Sequence, residues 1–288
     1  MERSSAETYD VVVVHYDNPE VYGVVEAALR QTVPPRRIVL VDNSGTVDPE
    51  RIHRIAPELQ LIPSANDGYA AAANAGIQAL ASDPAPFVVV LTHEVRLEDT
   101  TLAELVHALA ADPRLGAAGP LLRFRSAPDR VFSRGGRLDR FAWPSHVTSP
   151  LPEPAPPTTR TAWIDGSVMA LRRSALDQVG LFDPRYFLYF EEIDLAVRLA
   201  AAGWDTAVVT AAVAWQEPGG YPPYLAVRNR LLMLRRNASL LGVPKWLLYP
   251  RLVAEIVWTA RRRGLRTVGP SLRGLLDGAR GVSGAPAR

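Results

Sequence analysis

Residues Tyr9–Tyr16 read YDVVVVHY: four consecutive valines closed by a histidine and a tyrosine. β-Branched side chains disfavour helix and fit a pleated strand. A strand with one wet face alternates apolar and polar residues, whereas an unbroken apolar run is covered on both faces. RIVLVD at Arg37–Asp42 and FVVVL at Phe87–Leu91 share this character, and a shorter run stands at Leu59–Pro63. Helical stretches separate them. One is opened by Pro19 and runs through Val24, Val25, Ala28 and Leu29 to Gln31, a second lies near Pro49–Ala56, and a third, alanine-rich, comes after a glycine-containing loop within Asn66–Leu80. Strand–helix–strand units of this kind predict an α/β fold, a Rossmann-like and mostly parallel sheet flanked by helices.

Further along, Asp99–Ala111 has the spacing of an amphipathic helix and Leu115–Leu122 that of another strand. The region 128–160 holds Gly135-Gly136 and then SPLPEPAPPTT, which predicts a hairpin and then a long Pro-rich loop, suited to a lid over a site. A strand is expected at Thr161–Leu171, a helix at Arg173–Val179 and a late strand at Thr206–Trp215. Two basic amphipathic helices come next, Tyr224–Leu241 and Trp246–Arg263. The last fifteen residues, rich in Gly, Ser and Pro, are expected to be loose.

Composition narrows the chemistry. With 288 residues and 48% apolar side chains, a sizeable core is possible. The chain has no cysteine, which excludes disulfides, Cys-ligated zinc and thiol catalysis. MERSSAETYD at 1–10 has no apolar signal core, and no run approaches a membrane span. The net charge of +2 hides an asymmetry: residues 228–288 carry 13 Lys/Arg against Glu255 and Asp277, a net of +11, leaving −9 on the rest. An acidic body with a basic tail does not suit nucleic-acid binding. It suits a catalytic body whose tail meets an anionic surface or a second subunit.

Ligands of open parallel sheets bind beyond the carboxyl ends of the strands. Polar residues gather at those ends here: His15 and Asp17, Asp42 and Asn43, Asn66 and Gly68, then Thr92, His93 and Glu94. Neither the dinucleotide fingerprint nor the ATP phosphate loop occurs. Asp42 could accept a base N–H and Asn66 could bond a base or ribose. Turn-forming and helix-capping roles stand as alternatives for both. In GLFDPRYFLYFEEIDLAVRLAAAGW at 180–204, three carboxylates crowd the start of an apolar helix, where the unpaired N–H groups favour negative charge. Asp194 can pair with Arg198 one turn on, which leaves Glu192 without a local partner. The aromatics Tyr186, Phe187, Tyr189 and Phe190 either line a groove or pack in the core.

Taken together, VVVVHYDNPE at 11–20, VDNSG at 41–45, NDGYAAAANAG at 66–76, LTHEV at 91–95, the segment 165–204 and RNRLLML at 228–234 resemble the family 2 glycosyltransferases of the GT-A fold, in their rhamnosyltransferase-like branch. The resemblance covers about residues 8–240. It implies a nucleotide-sugar-binding half at 1–122, an acceptor-binding and catalytic half at 123–220, and a basic helical extension at 221–288. It also implies an inverting transferase that uses a dTDP- or UDP-linked sugar, a divalent cation (Mg²⁺ or Mn²⁺), and a hydroxyl of a saccharide, glycolipid or natural product. Carried over by motif, Glu192 is the general base with Glu191 beside it. His15, Asp17, Asp42, Asn66, Gly68 and Thr92 lie on the donor side and Asp165 on the acceptor side. Glu94, with His93, occupies the place of the metal motif.

Two departures stand out. Thr92 and His93 replace the first two positions of the acidic metal motif, and Gln216 stands where the family often has a histidine. Gln can donate to a phosphate but is a poor Mg²⁺ or Mn²⁺ ligand beside carboxylate and imidazole. The alternatives are a catalytically silent paralogue that binds a glycan or partner, and a sugar-phosphate nucleotidyltransferase. The expected location is cytoplasmic, with the basic helices free to meet the inner face of a membrane or a second copy.

Overall fold

The computed structural model describes residues 7–217, 219–242 and 248–286. Trp246 and Leu247, expected to open the last basic helix, lie outside these residues, as does most of the polar N-terminal stretch. The first half alternates as the apolar runs require: β1 (Tyr9–His15), α1 (Val21–Leu29), β2 (Ile38–Asp42), α2 (Pro49–Ile55), β3 (Gln60–Pro63), α3 (Tyr69–Ala79) and β4 (Phe87–Thr92). A short β5 (Arg96–Leu97) and α4 (Thr101–Ala111) lead to β6 (Leu115–Phe124). α1 begins at Val21 rather than at Pro19, with Glu20 as its N-cap.

Strands β3, β2, β1 and β4 lie side by side in parallel, with Val13 opposite Leu40 and His15 opposite Asp42. The valine run divides its side chains by parity. Val11 and Val13 enter the core under α1, α2 and α4, whereas Val12 and Val14 enter the core under α3 and α5. Successive strand residues face opposite sides, so a run apolar at every position is what a two-sided sheet needs.

The second half extends the same sheet. β7 (Val131–Ser133) pairs with β6, β8 (Gly136–Leu138) and β9 (Pro144–His146) form a separate hairpin, and β10 (Thr158–Arg160) forms the outer edge. β11 (Val168–Arg172) inserts antiparallel between β4 and β6. After α5 (Arg173–Val179) and α6 (Glu191–Ala201), β12 (Asp205–Gln216) pairs parallel to β6. The Pro-rich stretch ends as an edge strand on β12, and none of its described residues lines the large cavity at the strand ends.

Three C-terminal helices complete the chain: α7 (Pro223–Leu241), α8 (Leu248–Arg263) and α9 (Val268–Arg280). α7 and α8 share a third core with Tyr186, Phe190 and Ile193. Of the last fifteen residues, Gly274–Arg280 are helical rather than loose, because the glycines permit close helix packing. A Cβ on Gly274 would lie 2.4 Å from the Tyr224 carbonyl oxygen, and one on Gly278 3.1 Å from that of Arg228. No helix among the described residues is long and apolar enough to cross a membrane.

Candidate active site

A cavity of about 620 Å³ opens where β1, β2, β4 and β12 end. Its wall takes Tyr16 and Asn18 from beyond β1, Asn43 from beyond β2, Thr92, His93 and Glu94 from the end of β4, and Gln216 with Glu217 from the end of β12. β11 runs the opposite way, so its start lies at this end and brings Asp165, Gly166 and Ser167. α3 starts here with Gly68 and Tyr69, and α6 starts here with Glu191 and Glu192. Residues as distant in sequence as Tyr16 and Glu217 share one wall because β1 and β12 run the same way and end at this edge of the sheet.

The approach to α6 is strained. Phe187, Tyr189 and Phe190 have φ of 66°, 71° and 77°, a region that non-glycine residues rarely adopt. Neighbouring groups hold this turn in place. The Asn229 amide donates to the carbonyl oxygens of Tyr186, Leu188 and Tyr189 at 2.8–2.9 Å. Arg228 Nε donates to Asn229 Oδ1 at 2.9 Å, which orients that amide, and Arg228 Nη2 donates to the Tyr186 carbonyl at 2.9 Å. From the other side, Tyr69 N–H donates to the Phe187 carbonyl at 2.7 Å. This contact requires glycine at 68, where φ is +98° and a Cβ would sit 2.0 Å from the Phe187 oxygen. The Gly68 loop and the acidic helix are thereby locked together.

The three acids of α6 separate by environment. Asp194 is fully buried and satisfied: Arg198 Nε donates at 2.8 Å, Tyr186 OH at 3.0 Å and Asn237 Nδ2 at 2.9 Å. Glu191 is buried, and its Oε2 has no partner among the described residues. Burial pushes the Glu191 carboxyl up to about 7, despite opposing backbone N–H donors, and the nearby Asp165 charge adds to the rise. Glu192, half-buried in the cavity wall, is raised well above its ordinary value by burial and by the neighbouring Glu191. Of the aromatics, Tyr186 and Phe190 belong to the core, whereas Phe187 and Tyr189 line the cavity.

At the end of β4 the hydrogen bonds define roles. Tyr16 N–H donates to His93 Nδ1 at 3.1 Å, so the proton of that ring sits on Nε2, 2.9 Å from Glu94 Oε2. Thr92 Oγ1 donates to Glu94 Oε1 at 3.2 Å. Burial raises the Glu94 carboxyl, but the donors His93 and Thr92 outweigh it, and the group titrates below the usual range. In this arrangement His93 is a hydrogen-bond donor to Glu94, with both ring nitrogens engaged.

Three other expected residues stand outside the cavity lining. Asp42 is buried and accepts from Ser44 N, Ser44 Oγ and Gly45 N through Oδ1 and from Val47 N through Oδ2, at 2.8–3.0 Å. It clamps its own turn, and Asn43 forms the wall instead. His15 is buried behind it, bonded to Thr46 Oγ1 at 3.0 Å, and burial lowers its pKa although Asp42 opposes this. Asp17 is exposed, and its N–H donates to Ser44 Oγ. Asn66, Gly68, Thr92, Glu94, Asp165, Glu191, Glu192 and Gln216 all line the cavity. Tyr69, Glu217 and the Arg228–Asn229 clamp were not expected. The clamp has one sequence signal, polar side chains inside the apolar helix RNRLLML.

Five lining residues are acidic (Glu94, Asp165, Glu191, Glu192 and Glu217), and among the described residues no Lys or Arg lines the cavity. Arg125 comes near, its Nη1 3.4 Å from the Glu94 carbonyl, but Glu20 holds it through both carboxylate oxygens. Buried Asn43 Oδ1, Ser167 Oγ, Glu191 Oε2 and Gln216 Oε1 have no partner among the described residues. Buried polar atoms are normally satisfied, so these four are available to bond a polar ligand or water at the cavity wall. Among the described residues no three His, Cys, Asp or Glu gather as a preformed metal cage. Phosphate-bridging Mg²⁺ uses one or two carboxylates completed by phosphate and water, and Glu94 fits that pattern.

A sheet of this topology with an acidic cavity at its strand ends defines the GT-A class of glycosyltransferases. The crystal structure of GalNAc-T7 with UDP, GalNAc and Mn²⁺ superposes with a TM-score of 0.63 at 16% identity, over 79% of this chain and 47% of that one, so the chain spans about half its length. The mannosyltransferase PcManGT of Pyrobaculum calidifontis, in complex with GDP-Man and Mn²⁺, gives 0.57 at 17% identity, over 97% and 76%. Residues 6–235 match the family model described as glycosyltransferase like family 2, and the chain belongs to that family. It is also 33% identical over 227 residues, 70% of this chain and 73% of the relative, to the N-acetylglucosaminyl-diphospho-decaprenol L-rhamnosyltransferase of Mycobacterium tuberculosis. The protein is a glycosyltransferase.

Proposed function

We propose that this glycosyltransferase moves a deoxyhexose, rhamnose being the leading candidate, from a dTDP- or UDP-linked donor to a hydroxyl of a lipid-linked saccharide diphosphate, with inversion. The observation that carries this is the cavity that Glu94 and the Glu191–Glu192 pair line together, with no Lys or Arg among its described lining residues. The mycobacterial relative, whose name states a rhamnosyl donor group and a diphospho-decaprenol acceptor, supports the substrate classes.

An acceptor hydroxyl is a weak nucleophile. Glu192, with its raised proton affinity, takes the hydroxyl proton as the oxygen bonds the anomeric carbon and the bond to the diphosphate breaks. Attack from the face opposite the leaving group inverts that carbon, and no sugar–enzyme bond forms. Glu191 keeps Glu192 basic through its charge, while Asp165 and Tyr189 shape the acceptor end. Asn43, Asn66 and Gly68 bound the nucleoside end, and Gln216 offers an amide to the diphosphate. A divalent cation held by Glu94 would neutralise charge on the departing diphosphate. The protein acts on the cytoplasmic side, next to the membrane that carries its acceptor.

The test is binding and turnover on a panel of dTDP- and UDP-sugars, with and without Mn²⁺, using a short-chain lipid diphosphate saccharide as acceptor. Transfer from one donor, with an inverted linkage by NMR, is expected. If neither nucleotide binds at any Mn²⁺ concentration, the donor assignment fails; a retained linkage would overturn the mechanism.

A further inference from the structure

α8 and α9 bury narrow inner faces and present wide outer ones. On α8, Leu252 and Ile256 are buried while Val253, Val257 and Trp258 are exposed, one turn apart. On α9, Ser271, Gly274 and Gly278 are buried while Leu272 and Leu276 are exposed. At the joint between the helices Leu265 is 82% exposed, and Trp258 is 56% exposed. Most of the large exposed apolar side chains among the described residues lie here. Isolated exposed apolar residues need no explanation, but a concentration on one helical unit does.

The charges on this unit are predominantly of one sign. Residues 248–286 hold seven arginines and two acids. Both acids are engaged locally: Glu255 pairs with Arg230 at 2.5 Å, and Asp277 accepts from Tyr224 OH at 2.9 Å and lies 3.7 Å from Arg273 Nε. Arg261, Arg262, Arg263, Arg266 and Arg280 are all exposed, and the Arg262 guanidinium lies 4.6 Å from the centre of the Trp258 ring. Arginines alternating with tryptophan and aliphatic side chains match a helix lying in a lipid interface. A two-fold dimer through this face would set the cationic patch against itself, since such an interface pairs the same surface from both copies.

We propose that the outer face of α8–α9 docks this enzyme on an anionic phospholipid bilayer, the arginines meeting headgroups and Val253, Val257, Trp258, Leu265, Leu272 and Leu276 entering the acyl boundary. The purpose of such docking, access to a lipid-linked acceptor, rests on the function proposed above; the surface itself does not.

The experiment is co-sedimentation of the full chain with vesicles of phosphatidylglycerol in phosphatidylcholine and with vesicles of phosphatidylcholine alone. Binding to the anionic vesicles only, weakened but not abolished by salt, is expected. Arg261→Glu/Arg262→Glu/Arg263→Glu should weaken that binding at least about tenfold. Trp258→Ser/Leu265→Ser should weaken it further at high salt, where the apolar part remains. Equal binding to neutral vesicles, binding unchanged in both variants, or a solution dimer broken by Trp258→Ser/Leu265→Ser would overturn the proposal. Nucleotide-induced thermal shifts of the same variants report donor binding separately. If the variants bind nucleotide as wild type but no vesicles, docking is upheld; if wild type binds vesicles but no nucleotide, the failure belongs to the transferase assignment.

Discussion

Asn229→Ala tests how α7 governs the catalytic turn. The Asn229 amide sits 2.8–2.9 Å from three carbonyl oxygens, and Arg228 still reaches one of them, that of Tyr186, in the variant. The carbonyls of Leu188 and Tyr189 lose this donor. A fully buried polar group left unpaired costs about 1–3 kcal/mol, and these two carbonyls are partly buried, so together they cost about 2–4 kcal/mol. This is below the total stability of about 5–15 kcal/mol expected of a folded protein, so the variant folds. At about 2–4 °C per kcal/mol for a chain near this size, Tm falls on the order of 10 °C. The three positive-φ residues, each strained by about 1–3 kcal/mol, then relax and move the start of α6. A displacement of about 1 Å of Glu192 lowers kcat by on the order of 100-fold. The assay is kcat, donor KM and Tm on purified wild type and variant, well below the variant's Tm. A large loss in kcat with a smaller change in donor KM is expected. A full drop in Tm with wild-type kcat would show that the clamp serves stability alone and would refute the link to Glu192.

Glu192→Gln should keep Tm and nucleotide affinity but lower kcat by about 10²–10⁴-fold, the range of a lost general base; near-normal turnover removes it from that role. Glu94→Ala should raise the Mn²⁺ concentration needed for half-maximal donor binding, which titration calorimetry at several Mn²⁺ concentrations measures; an unchanged titration removes Glu94 from the cation site. Because the base works unprotonated, kcat/KM should rise with pH as Glu192, held above the ordinary carboxylate range, gives up its proton beside Glu191, which titrates at about 7. The same raised pKa makes the folded state bind more protons than the unfolded one, so the pair's contribution to stability is complete below pH ~4 and is lost as pH rises through 7. Glu191→Gln should flatten the decline of Tm between those limits, and an unaltered slope would contradict the assignment. Gly68→Ala forces a Cβ onto the Phe187 carbonyl at a φ of +98° and should destabilise by about 2 kcal/mol or more, read as a Tm several degrees lower; a neutral effect would mean the two loops do not touch.

How far each residue can be read from sequence depends on how local its cause is. The pairing of Asp194 with Arg198 depends on one helical turn, and it is legible. Asp42 is also local: its neighbours Ser44, Gly45 and Val47 saturate it, which is the turn-forming alternative that VDNSG offers beside the donor-side role its motif position implies. His93 cannot be resolved from LTHEV, because its role depends on the backbone N–H of Tyr16, 77 residues away. The expectation of a loose tail fails over Gly274–Arg280 for a related reason. Glycine is a weak helix former in isolation, and its value at 274 and 278 exists only against the surface of α7.

The unbroken valine runs by themselves determined a sheet covered on both faces, since each side chain must be buried whichever way it points. The order of polar residues at strand ends then placed a site at one edge of that sheet. Tertiary structure decided which of those polar groups face the cavity. It also decided that the antiparallel β11 delivers Asp165 there and that a strained turn, held by α7 and Gly68, presents Glu191 and Glu192 to it. Burial in the cavity wall and the contacts that hold the strained turn depend on groups distant in sequence, so they come into being only when the chain closes on itself.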